Sequence, residues 1–319
     1  MNQQLRLNKY VTVVVRDISV TAANIKLIEL ADPDDWELPP FTAGAHIDLV
    51  LSDDLIRQYS LCGDPADRHR YRIAVLADRN GRGGSLHIHQ HLKVGDRIPV
   101  SLPRNLFPLA PKASKHILIA GGIGITPFMA MAPALARRNE PFHLHVCTRT
   151  PDHTAFRPVI HRWVEQGRAS YHHDHGDVAR GLDVAALLAR VEPGVHVYCC
   201  GPRGLIDAFI AATAHWPGDA VHYERFSGSP ALGRAYTLKL AKSGTSIDVR
   251  VNETMANALK RRGVDLRTAC EAGICGICRI QYVAGDPDHR DHVLSGEERK
   301  HCVMPCVSGS IGTTLILDL

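Results

Sequence analysis

Three cysteines in TACEAGICGICRI (268–280) are spaced Cys270-x4-Cys275-x2-Cys278, and two more, Cys302 and Cys306, follow in HCVMPCVSG. Thiolates at the first three positions, completed by a distant fourth, hold a plant-type [2Fe–2S] cluster. Zinc sites more often use two close pairs, and Cys302-x3-Cys306 can supply the second, so counting alone leaves zinc open. Gly273 and Gly276 stand among the first three cysteines. They let the backbone wrap closely and aim N–H groups at sulfur, which favours the cluster.

Two stretches suit an aromatic cofactor that carries a phosphate. IRQYSL (56–61) places Arg57, Gln58, Tyr59, Ser60 and Leu61 at the end of a predicted strand. Alternation puts Arg57, Tyr59 and Leu61 on one face, with Gln58 and Ser60 on the other. The segment offers a ring contact, hydroxyl partners and a forked cation for phosphate. Alone, a Tyr–Ser pair at a strand end is ordinary sheet packing. GRGGS (81–85) adds Gly83, Gly84 and Ser85 just ahead of a predicted helix, SLHIHQHL. Amides at that helix start can hold a phosphate.

LIAGGIGITPF (118–128) runs from a predicted strand through Gly121, Gly122 and Gly124 to Thr126 and a helix beginning near Pro127. Glycines there admit a pyrophosphate to the helix N-terminus. This is not the Rossmann G-x-G-x-x-G pattern, because Pro127 takes the third glycine's place. YCCGP (198–202) ends another predicted strand with Cys200, Gly201 and Pro202, and YERF (223–226) supplies Glu224 and Phe226. Arg149, in CTRT, stands near a strand end where an arginine can receive a 2′-phosphate. The histidine runs HIHQH (87–91) and HHDH (172–175) are read as packed or solvated side chains. The first lies on a predicted helix, where alternate positions do not share a face.

The elements that must position these residues change texture along the chain. Up to residue 110, YVTVVVRDIS, HIDLVL, YRIAVL and DRIPVS alternate in short runs between turns, which predicts a small antiparallel barrel. From KHILIAGG onward, strands such as FHLHVC and VHVYCC alternate with helical segments, PFMAMAPALARR and LDVAALLARV among them. That alternation predicts a parallel sheet with helices on its faces. FSGSPALGRA (226–235) is a Gly/Ser/Pro break, followed by a predicted hairpin, YTLKLAKSGTSIDVRV, a helix near TMANALKRRG, and the cysteines.

A chain of 319 residues, 45% hydrophobic and 22% charged, fits several globular domains. A formal charge of +4 makes no case for nucleic acid. Nine cysteines, with five crowded into 270–306, suit a metal site in a reducing compartment rather than a disulfide framework. The N-terminal MNQQLRLNKY lacks the apolar core of a secretory signal, and no run of about 18 apolar residues predicts a membrane span. The expected location is the cytoplasm.

ACEAGICGICRI together with PCVSGS resembles the C-terminal ferredoxin module of the phthalate dioxygenase reductase family, and the likeness covers the whole chain in order. The resemblance implies a multidomain fold: an antiparallel β-barrel flavin domain (1–110), an α/β parallel-sheet nucleotide domain (111–226), a linker (227–234), and an α+β, β-grasp [2Fe–2S] domain (235–319). Carried over by motif, the ligands are Cys270, Cys275, Cys278 and Cys306, with Cys302 a non-ligand. Arg57 and the Gly83-Gly84-Ser85 turn would hold the phosphate of FMN, preferred to FAD by resemblance alone. Gln58, Tyr59, Ser60, Leu61, Glu224 and Phe226 would line the flavin. Gly121, Gly122, Gly124, Thr126, Pro127, Arg149, Cys200, Gly201 and Pro202 would receive NADH, the family's usual nucleotide, with NADPH the alternative.

The implied activity is conversion of a two-electron hydride transfer into one-electron transfers, with the redox chemistry belonging to the cofactors and no acid–base dyad required. No Rieske or mononuclear iron site is visible in the sequence, so an external acceptor is expected: the Rieske-type oxygenase of an aromatic-ring-hydroxylating or demethylating system. A plant-type cluster near about −400 mV would pass electrons downhill to Rieske centres at roughly −150 to +300 mV. Two rival readings stay open: a reductase for a diiron hydroxylase or cytochrome, and a zinc-stabilised flavin-binding interaction protein without turnover.

Overall fold

The structure, a computed structural model, describes residues 10–319 apart from 53–54, 80, 82, 227–233, 252, 269–272, 274–275 and 292. The chain divides into two compact units, 1–226 and 227–319.

The first unit opens with β1 (Tyr10–Ala22), β2 (Ile25–Ala31), β3 (Ala45–Ser52), β4 (Leu55–Ser60), β5 (Arg70–Leu76), α1 (Gly84–His91), β6 (Arg97–Ser101) and β7 (Arg104–Asn105). The strands pair antiparallel in the order β4-β3-β6-β1-β2-β5, with β7 against β3. Just past β4, Cys62 N–H donates to Arg72 O at 2.8 Å, which ties the two ends of that order together. Alternation along the strands sends Val13, Val15, Ile28, Leu30, Ile47, Leu49 and Ile73 inward to a buried core. Asp48 in β3 is buried but held by Arg104 of β7, whose Nη2 lies 2.8 Å from each carboxylate oxygen. That pair braces β3, the strand on which β4 is hung.

The same unit continues with β8 (Lys115–Gly121), α2 (Thr126–Arg137), β9 (Phe142–Thr148), α3 (Arg157–Glu165), β10 (Ala169–His173), α4 (Val184–Leu187), β11 (Val195–Cys200), α5 (Arg203–Ala212) and β12 (Val221–Glu224). These five strands are parallel, in the order β10-β9-β8-β11-β12. Both faces are covered, so the strands are apolar on both sides: Leu118 and Ala120 join the core shared with the barrel and α2, while Ile117 and Ile119 join one with Ile206, Phe209 and Trp216. LDVAALLARV gives only one helical turn, Val184–Leu187, capped by Asp183, which accepts from Ala186 N–H at 2.9 Å. Glu192-Pro193-Gly194 follows closely, and a residue before proline is turned away from helical backbone.

The second unit comprises β13 (Tyr236–Leu240), β14 (Ser246–Val249), α6 (Met255–Arg261), β15 (Ile280–Ala284), β16 (Pro287–Asp288), β17 (Cys302–Val303), β18 (Gly309–Ser310) and β19 (Thr314–Leu317). A hairpin, β13 with β14, leads to α6, and β13 pairs parallel with β19 in the order β14-β13-β19-β15-β17. This is the β-grasp arrangement. Leu238, Ile247, Met255, Leu259 and Leu315 form its main core, and a smaller core gathers Cys278, Leu294, Met304, Cys306 and Val307.

Candidate functional site

At the end of β4, Leu61 is wholly buried, Ser60 nearly so, and Arg57, Gln58 and Tyr59 are half-buried. Tyr59 packs against the core of the first unit. The predicted glycine turn does lead into a helix, α1, preceded by Gly83 at φ +82° in the left-handed region. A Cβ at Gly83 would meet nothing, so backbone conformation is what requires glycine there. Gly84 is different: a Cβ there would collide with Cγ of Arg57. The arginine stem therefore lies across the first turn of α1, bringing a guanidinium to the N–H end of a helix. That combination fits a phosphate. Ser85 Oγ accepts from Asp78 N–H at 3.1 Å, which fixes the turn from the other side.

In the parallel sheet the strand order reverses between β8 and β11, the place where open α/β sheets bind ligands. Both predicted nucleotide turns sit there. A Cβ on Gly124 would collide with the Cys200 carbonyl, and one on Gly121 would stand 2.5 Å from Pro202 Cδ and 3.2 Å from Gly201 Cα. The two turns are thus packed backbone to backbone. Thr126 opens α2 with its hydroxyl donating to Ile123 O at 3.1 Å, and Pro127 follows in the first turn. Leu205, which the sequence reading missed, fills the space beside both turns, its Cδ2 being 2.7 Å from a Cβ at Gly121 and 3.0 Å from one at Gly201. No motif flags a leucine on a helix face.

Three of the predicted stretches converge on one carboxyl group. Cys200 and Glu224 are register partners across β11 and β12, and the Glu224 carboxyl is hydrogen-bonded to the Ser60 hydroxyl from β4. Burial pushes Glu224 up to about 8, with Ser60 pulling it partly back. Its Oε2 is buried without a partner among the described residues. Burial, then the nearby Glu224 and Cys199, also pushes the Cys200 thiol well up. Cys199 is equally buried but on the opposite face of the sheet. An unpaired polar atom at the meeting point of barrel and sheet fits a polar-edged ligand such as a flavin or nicotinamide.

Arg149 lies one residue beyond β9 with an exposed side chain, its carbonyl accepting from His175 N–H at 2.9 Å. It is therefore one strand away from the reversal point. Phe226 ends the first unit, 38% exposed. The histidine runs sit elsewhere: His89 Nε2 is 2.8 Å from Val75 O, His173 Nδ1 is 2.9 Å from Thr148 Oγ1, and His172 Nε2 is 3.0 Å from His145 Nδ1.

In the second unit, Cys278 and Cys306 are buried with their sulfurs 3.2 Å apart. A disulfide would need about 2.05 Å, whereas thiolates about 2.3 Å from one tetrahedral metal stand about 3.8 Å apart. The pair is close to sharing a metal. Cys270 and Cys275 lie outside the described residues. Gly273 and Gly276 both adopt φ +73°, and a Cβ on Gly273 would stand 2.6 Å from Val307 Cγ2. Gly273 therefore passes too close to the turn at Val307 to carry a side chain unless Val307 shifts. The described thiols fit two of the four ligand positions of such a cluster.

Comparison with known proteins matches residues 118–210 to an oxidoreductase NAD-binding domain and 238–309 to a 2Fe-2S iron–sulfur cluster binding domain. The tert-butanol monooxygenase / tert-amyl alcohol desaturase reductase subunit of Aquincola tertiaricarbonis is 44% identical, over 96% of this chain and 95% of its own. Phthalate dioxygenase reductase of Burkholderia cepacia is 41% identical, over 93% and 94%. A solved phthalate dioxygenase reductase, described as a modular structure for electron transfer from pyridine nucleotides to [2Fe-2S], superimposes with a TM-score of 0.82 at 38% identity, covering 98% of this chain and 99% of that one. No helix among the described residues is long and apolar enough to cross a membrane.

Proposed function

Since the chain belongs to the phthalate dioxygenase reductase family, we propose that it is the NADH-dependent reductase component of a Rieske-type oxygenase system, working in the cytoplasm. FMN held by Arg57 and the start of α1 would supply the conversion of two-electron to one-electron transfer, and a [2Fe–2S] cluster held by the four cysteines would supply the one-electron outlet to the oxygenase. The observation that carries this reading is the convergence of Ser60, Glu224 and Cys200 beside two glycine turns.

Each part of the chain then has a task. Arg57 and the start of α1 neutralise the flavin phosphate. Tyr59 and Leu61 offer apolar contact, and Gln58, Ser60 and Glu224 offer polar contact to its ring. Gly121, Gly122, Gly124, Thr126 and Pro127 would admit the nucleotide, and Cys200, Gly201 and Pro202, packed against that turn, would hold its nicotinamide end. Glu224 keeps its proton at neutral pH, so it can donate a hydrogen bond without placing a negative charge beside an incoming hydride. Phe226, two residues beyond Glu224, is placed beside the flavin by the resemblance. Arg149, exposed one residue beyond β9, is assigned to the nucleotide with the glycine turns, and NADH is taken over NADPH from the family resemblance alone. Cys270, Cys275, Cys278 and Cys306 hold the cluster.

Anaerobic titration with NADH, followed by absorbance and EPR, tests this. Flavin bleaching followed by the signal of a reduced [2Fe–2S] centre, and then reduction of an added Rieske oxygenase, is the expected sequence. Zinc in place of iron on metal analysis, or no reduction by NADH, overturns it.

A further inference from the structure

Asp291 is an acid placed where no solvent reaches it, and its side chain has no exposed surface at all. Its Oδ2 accepts from Leu294 N–H at 2.9 Å and stands 3.6 Å from Arg299 Nη2. Its Oδ1 faces His289 Nδ1 at 3.6 Å. Arg299 Nη2 in turn donates to the Asp291 carbonyl at 2.7 Å, and His289 Nε2 lies 2.9 Å from the Arg299 carbonyl. Even so, Asp291 Oδ1, His289 Nδ1 and Arg299 Nε are all buried without a hydrogen-bond partner among the described residues. One oxygen of the carboxylate and one nitrogen on each of its two partners, all left unmatched, are costly, since a buried charge is tolerated only when well paired.

The place of this group in the fold suggests what the cost supports. A Cβ on Gly273, inside the loop between the first two predicted ligands, would stand 3.1 Å from Asp291 Cα and 3.3 Å from its Cβ. Leu294, whose N–H the carboxylate holds, packs in the small core that contains Cys278 and Cys306. Asp291 therefore touches the ligand loop on one side and anchors the wall of the thiol pair on the other. Capping Leu294 needs one oxygen and no charge. It does not account for a wholly buried carboxylate turned toward an arginine and a histidine.

We propose that Asp291 and Arg299 form a positioning pair for the [2Fe–2S] site, bracing Gly273 and the wall of the Cys278–Cys306 pair and setting the cluster's potential through opposed charges. This rests on the reading that the second unit carries a cluster. An electron added to the cluster is repelled by the Asp291 carboxylate and attracted by the Arg299 guanidinium, and such effects are large where water is excluded. The two residues must then act with opposite sign.

The test is an EPR-monitored redox titration of the full-length holoprotein and its variants. D291N keeps an oxygen for the Leu294 cap and loses the charge. It should favour the reduced cluster about tenfold, an upward shift of about 59 mV for one electron. R299Q should shift the potential downward, and less, because its side chain is 40% exposed against none for Asp291. The double variant should lie between them, and D291E should return toward the wild type. Equal potentials in all variants, or shifts of one sign in both single variants, overturn the proposal. If D291N assembles no cluster, the sign of R299Q alone decides, with an upward or absent shift counting against the pair. A wild-type chain that binds no iron overturns the parent reading and this one with it.

Discussion

A carboxyl held at about 8 carries its proton at neutral pH, and Glu224 therefore meets its surroundings as a neutral donor. The unfolded chain releases this proton near 4.5 and the folded chain near 8, so folding takes up a proton between those values. Stability must fall as pH rises through that window, by on the order of 3–5 kcal/mol at most. E224Q removes the loss: its melting temperature should match the wild type near pH 5 and exceed it near pH 9. A difference that does not grow with pH counts against a buried, protonated Glu224. The proposed choice of Cys306 over Cys302 as the fourth ligand is tested at the same scale. Cys306 is the thiol 3.2 Å from Cys278, while Cys302 is only half-buried at the edge of the same small core. C306S should lose the iron and the EPR signal yet keep flavin reduction by NADH, and C302S should keep both.

At the scale of elements, two of the three glycines of the nucleotide turn, Gly122 and Gly124, require different things. Gly122 has φ +53° with open space around a would-be Cβ, so G122A should cost about 1 kcal/mol of backbone strain. Gly124 faces the Cys200 carbonyl, a backbone atom that cannot swing aside. G124A should cost about 3 kcal/mol or more and weaken NADH binding along with stability, whereas G122A should bind NADH with little change. Thermal melts and nucleotide titrations of the pair separate these causes. Elements of this kind were legible in the sequence because their signals are local: alternation for β1 and for β3 to β6, strand–glycine–helix texture for β8 into α2, a hairpin and α6 after residue 235. LDVAALLARV misled because its helical spacing runs up to a proline that shortens it. What no spacing revealed is where the stretches meet. Ser60 and Glu224 are 164 positions apart in the chain, and only the strand order brings them into one hydrogen bond. Asp291 was invisible for a similar reason, since burial is what makes an ordinary surface residue type unusual.

For the whole molecule, the division at residue 226 separates a unit with flavin and nucleotide stretches from one with the thiols. Each has its own apolar cores, so a chain ending at 226 should fold and reduce ferricyanide with NADH. It should show no iron–sulfur EPR signal. Failure of this fragment to take up flavin would show that residues beyond 226 complete the site.

The four cysteines of the first unit share one property with a use at the bench. Burial pushes Cys62 and Cys147 up to about 12 and holds Cys199 and Cys200 well above the usual thiol range. Thiols so hard to ionise barely react with alkylating reagents near neutral pH. The five remaining cysteines all lie in 270–306. Iodoacetamide uptake thus becomes a ledger of the second unit alone: roughly one adduct, on Cys302, while the other four are ligated, and about five once they are released. Ageing of a preparation could then be followed by intact mass, on a sample too dilute or too coloured for spectroscopy.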